Sequence, residues 1–111
     1  MLATTPQTLC INARHEAPGL MVIRCAGEID LASYGELAEA IDWSYTSDLL
    51  TLRIDLTDVT FIDSRGVQCL MDAEERCSRL ATMFEVVSSD AVRRIVRIVG
   101  VEFNGPDRPF G

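Results

Sequence analysis

Four successive residues, Asp63, Ser64, Arg65 and Gly66, set a carboxylate, a hydroxyl and a guanidinium beside a position with no side chain, where another chain can approach the backbone closely. Asp63 and Ser64 are also the residue types that cap free N–H groups in the first turn of a helix, so an ordinary cap is the baseline for both. As a nucleophile Ser64 needs a base. The one imidazole, His15, is remote in sequence and has no evident orienting acid, which argues against a hydrolase. Asp55, Asp58 and Asp63 suggest a receiver-like Mg²⁺ site. All ten basic residues are arginine and none is lysine, however, so the charge complement of that phosphotransfer site is missing. Turn and cap roles suit these aspartates better. The same absence removes Schiff-base chemistry and a phosphate-loop lysine.

The cysteines, at positions 10, 25, 69 and 77, show no C-x-x-C spacing, and with one histidine in the chain a zinc site is not expected. Cys69 and Cys77 are about 12 Å apart along a helix, too far to bridge. Cys10 and Cys25 could face each other across a hairpin, which leaves a redox link there open. Otherwise the thiols read as small buried hydrophobes. Arg93, Arg94 and Arg97 form a stripe that reads as a solvated helix face, with docking of an acidic partner as the alternative.

With 111 residues the chain has room for one domain and one core, and its 48 % apolar and 24 % charged residues match a globular protein. A net charge of −7 disfavours duplex DNA and anionic membranes as partners. No charged start followed by an apolar run and cleavage site opens the chain, and no apolar run approaches the ~18 residues that span a bilayer. A cytoplasmic, reduced protein is expected, with no metal and no cofactor.

The elements that must position Ser64 follow from periodicity. Leu9 to His15 alternates, Ala17-Pro18-Gly19 turns, and Leu20 to Ala26 is a mostly apolar strand, together a hairpin. Ser33 and Glu36 have capping-box spacing and open a first helix whose Tyr34, Leu37, Ala38, Ile41 and Tyr45 share a face, with Trp43 off it. Leu50, Leu52, Ile54 and Leu56 mark one face of a third strand, Leu49 to Leu56. After Asp63-Ser64, Leu70, Ala73, Cys77 and Leu80 recur at helical spacing, flanked by Val67 and Ala81. Phe84 to Val87 is a fourth strand. Ser89 opens a third helix with Val92, Ile95, Val96 and Val99 on one face and Gly100 as its stop, and Val101 to Phe103 would add a short fifth strand. The order β-β-α-β-α-β-α predicts an α/β domain over residues 8–103 with a mixed sheet of four to five strands, and fraying termini at 1–7 and 104–111.

Read with its approach, Ile54 to Val67 (IDLTDVTFIDSRGV) resembles the signature of STAS domains of the anti-sigma factor antagonist type, in which a strand ending in D-L leads through V-x-F-[IM]-D-S-x-G-[LV]. Gly27-Glu28-Ile29-Asp30 is similar to the family's G-E-[LIV]-D, and Ser89 to Arg94 to the start of its last helix. The resemblance implies a non-enzymatic protein that binds an anti-sigma factor, itself a serine kinase, and releases the sigma factor it held. It also implies that Ser64 is the phosphoacceptor, with a serine phosphatase resetting the switch. Asp30, Asp58, Asp63, Ser64, Arg65 and Gly66 would then form the partner-binding surface. Arg65 stands where many members have a small residue, and Gln68 where glycine is frequent. Arg65 either pairs with a phosphate or partner carboxylate or is simply solvated, the latter favoured because a first-turn arginine meets the positive end of the helix dipole. Asp30 is either a partner contact or a turn residue. The alternative function is a constitutive STAS interaction module in a transporter or signalling scaffold, with Ser64 only a cap.

Overall fold

A computed structural model describes residues 9–105. Four strands and three helices alternate as expected: β1 (Leu9–Ala17), β2 (Leu20–Ile29), α1 (Tyr34–Ser44), β3 (Thr51–Ile62), α2 (Ser64–Arg79), β4 (Met83–Ser88) and α3 (Asp90–Val99). The sheet order is β1-β2-β3-β4, with β1 antiparallel to β2 and the other pairs parallel.

Strand alternation sorts the side chains. Met21, Ile23, Leu52, Ile54, Leu56, Phe84 and Val86 are buried and join Leu37, Ile41, Leu70, Ala73, Cys77, Val92 and Val96 of the helices in one core. The opposite face is polar. Arg24 bonds Glu16 at 2.9 Å and Arg53 bonds Glu85 at 2.8 Å, and Val22 is buried on this side, at the registered pairs with Arg14 and Arg53, whose aliphatic stems suit such cover.

Several expectations need correction. Leu50 is exposed and Leu49 buried, because the Leu50 and Thr51 N–H groups both turn to the Gly19 carbonyl and the strand starts only at Thr51. β3 also runs six residues further than expected, to Ile62. Leu80 closes α2 and is exposed, and Val99 is half-exposed at the end of α3. Val101 to Phe103 is not a strand; Phe103 is buried edge-on to Phe84, and the Val86 N–H donates to the Asn104 carbonyl at 2.7 Å. Of the segments 1–7 and 104–111, expected to fray, residues 1–7 and 106–111 lie outside the described residues, while Asn104 is held by the Val86 N–H.

The hairpin register sets Cys10 opposite Ala26 and Ile11 opposite Cys25. Cys10 is exposed while Cys25 points into the core, so the two thiols lie on opposite faces and the hairpin link is excluded. Burial pushes the Cys25 thiol up to about 12 and Cys69 up to about 11, which makes both poor nucleophiles at neutral pH.

Candidate functional site

β4 ends opposite Leu56, so the last residues of β3 extend past it and, among the described residues, pair with β2 alone. The Ser89 hydroxyl holds the start of α3 against this extension, donating to the Val59 carbonyl at 2.7 Å and accepting from the Val92 N–H at 3.2 Å. Ile29 and Ile62 are direct partners at the ends of β2 and β3, and the Asp63 N–H donates to the Ile29 carbonyl at 3.0 Å. Two helix entrances therefore emerge side by side from the same end of the sheet.

At the second entrance Asp63 is extended and its Oδ1 accepts from the Arg65 and Gly66 N–H groups at 3.0 and 3.1 Å. Its carbonyl accepts from Val67 at 3.0 Å. Ser64 is the first residue of α2, exposed, and among the described residues no hydrogen bond engages its hydroxyl. Asp63 is thus the cap, and Ser64 is presented to solvent on a rigid helix end.

The first entrance has the same plan. Asp30 Oδ1 accepts from the Ala32 and Ser33 N–H groups at 3.0 and 3.1 Å, and its carbonyl accepts from Tyr34 at 2.8 Å. The capping box expected from Ser33 and Glu36 does not form, since Ser33 is already near-helical and its side chain caps no N–H of α1. Its buried hydroxyl turns back instead, donating to the Glu28 carbonyl at 2.8 Å and accepting from the Asp30 N–H at 3.0 Å. Asp30 is a turn residue, closing the turn that leads into α1, at the rim of the surface that displays Ser64.

Arg65 is exposed, in keeping with a solvated side chain, and its guanidinium lies 5.9 Å from the centre of the Tyr34 ring at the first entrance. Gly66 is buried. A Cβ there would lie 2.6 Å from Ile62 Cγ1 and 2.7 Å from Ile29 Cγ2, so its lack of a side chain lets α2 close on the two strand ends. That internal role replaces the expected approach of another chain. Asp58 is exposed beside Ala26, several residues upstream of the strand end, and stands apart from Asp30 and Asp63. Exposed Leu31 and Phe61 flank the entrances and were missed, because a strand-to-helix junction gives no sequence signal for which apolar residues stay outside.

His15 pairs with Met21, at the far end of β2 from Ile29, a strand distance of about 26 Å at ~3.3 Å per residue. It cannot serve Ser64 as a base. Asp55 is engaged by the Thr57 N–H at 3.0 Å and faces Arg24 at 3.7 Å, and among the described residues no group of three His, Cys, Asp or Glu side chains could hold a metal. Nor, among the described residues, is any helix long and apolar enough to cross a membrane.

Comparison with known proteins agrees with this architecture. The STAS domain profile matches residues 13–106. The chain is 30 % identical over 84 residues to the anti-sigma-F factor antagonist RsfB of Mycobacterium tuberculosis, covering 76 % of this chain and 69 % of RsfB. An anti-sigma factor antagonist from Mycobacterium paratuberculosis superposes with a TM-score of 0.75 at 29 % identity, covering 88 % of this chain and 83 % of that one. The Bacillus cell fate determinant SpoIIAA in its phosphorylated form shares the fold, with a TM-score of 0.67 at 18 % identity over 82 % of this chain and 84 % of SpoIIAA. The order of elements, the aspartate turns at the two helix entrances and these matches together place the chain in the STAS-domain family.

Proposed function

We propose that this protein is an anti-sigma factor antagonist that binds an anti-sigma factor of the serine-kinase type, frees its sigma factor, and is switched off by phosphorylation of Ser64. The observation that carries the reading is the exposed Ser64 hydroxyl, unbonded among the described residues, on a helix end whose cap is supplied by another residue. A kinase can reach such a hydroxyl, and its modification leaves the fold's own hydrogen bonds in place. The names of RsfB and of the Mycobacterium paratuberculosis antagonist support the same role.

The switch is electrostatic. A phosphate adds about −1.5 to −2 charge and bulky acceptor oxygens. The Arg65 and Gly66 N–H groups next to it are already used by Asp63, so the new charge gains little from them and adds to the carboxylates of Asp63 and Asp30. Arg65 is the cation within reach, and drawing it to the phosphate would take it off Tyr34. A partner surface that covers Leu31, Phe61 and Ser64 must then desolvate a dianion or separate from it. The test is affinity for the co-purifying anti-sigma factor, measured by calorimetry. Ser64→Ala should bind like the natural protein and Ser64→Asp at least tenfold more weakly. Equal binding by both variants would leave a constitutive interaction module.

A further inference from the structure

A second surface, on the opposite side of α1 from α2, carries features that the Ser64 switch does not use. β1 borders the sheet, and among the described residues no strand pairs with its outer edge, whereas β4 at the other border is met by the backbone of Asn104. Unpaired strand edges are templates for an added strand, and proteins usually blunt them with charged side chains, proline or a bulge. In β1 the charged Arg14 and Glu16 and the register slip between His15 and Ala17 all lie at the C-terminal end, leaving Cys10 to Ala13 regular, uncharged and without proline.

Between this edge and α1 runs an open cleft of about 770 Å³, lined on the strand side by Ile11 and Ala13 and on the helix side by Trp43 and the carboxylates of Glu36, Glu39 and Asp42. Trp43 is 72 % exposed, a large apolar surface to leave in water. Asp42 is held by Arg76 at 2.8 Å, while Glu36 and Glu39 make no ion pair among the described residues. The rim is therefore acidic over an apolar floor.

We infer that this cleft binds an extended segment of a partner protein, added as a further strand on β1, in which every second residue is apolar or basic and the intervening residues are polar. Strand pairing with β1 directs alternate side chains to the helix side, onto Ile11, Ala13 and Trp43, and basic side chains there reach Glu36 and Glu39. The remaining side chains fall beside Cys10 and Asn12 on the open face, where uncharged polar groups fit. A second copy of this chain is a poorer occupant, because pairing two β1 strands would set two acidic α1 rims against each other.

Trp43 is the sole tryptophan, so its emission reports on this cleft alone. The probe is a blocked heptapeptide of threonines alternating with arginine, valine and arginine. Saturable binding should shift Trp43 emission to shorter wavelength, with amide shifts confined to β1 and α1. The same peptide N-methylated along its backbone should bind at least tenfold more weakly, and so should the unmethylated peptide to a chain carrying Glu36→Arg and Glu39→Arg, both exposed positions. No binding, equal binding of the methylated peptide, equal binding by the charge-reversed chain, or shifts elsewhere on the acidic surface would each overturn the inference. A Trp43 shielded from iodide in the free chain, with or without dimer in sedimentation, would overturn it too.

Discussion

The two helix entrances are built on one plan and put to different use. Ile29-Asp30 and Ile62-Asp63 end adjacent parallel strands in register, and each aspartate receives the N–H groups two and three residues on. Position for position, exposed Leu31 corresponds to exposed Ser64, and buried Ser33 to buried Gly66. The serine that lies inside is consumed by the Glu28 carbonyl and the Asp30 N–H. The serine that lies outside is bonded to nothing among the described residues. A hydroxyl becomes available for modification when the cap is delegated to the residue before it and the buried place is given to a glycine.

Four substitutions probe that contrast by thermal or denaturant unfolding. Ser33→Ala should cost most, about 1 to 3 kcal/mol, since it strands the Asp30 N–H and the Glu28 carbonyl without their partner. Gly66→Ala comes next at about 1 to 2 kcal/mol, the collision with Ile29 and Ile62 outweighing alanine's better helix propensity of about 1 kcal/mol. Asp63→Ala removes a cap and should cost about 1 kcal/mol. Ser64→Ala should change stability by less than ~0.5 kcal/mol, as for an exposed surface site. A Ser64→Ala loss as large as that of Ser33→Ala would erase the distinction between the two entrances.

Much of this was legible in the residues. Alternation in Leu52, Ile54 and Leu56 and the helical spacing of Leu70, Ala73 and Cys77 placed the core, and the Asp63-Ser64 pair marked the start of α2. What stayed hidden needed a partner that only the folded chain brings near. Ser33 and Glu36 satisfy the capping-box spacing, yet the hydroxyl is claimed by a carbonyl that only the turn brings near. The reason for glycine at 66 lies in Ile29 and Ile62 together, and no local pattern couples them. Leu50 kept the alternation of β3 but fell in the preceding turn, and a one-residue difference in hairpin register moved Cys10 and Cys25 to opposite faces.

The role proposed for the outer serine has a direct test with an internal control. Incubated with the cognate anti-sigma kinase and ATP, the protein should gain one phosphate, mapped by mass spectrometry to Ser64, with Ser33 unmodified. Absence of phosphate, or phosphate at any other residue in its place, would contradict the assignment of Ser64 as the switch.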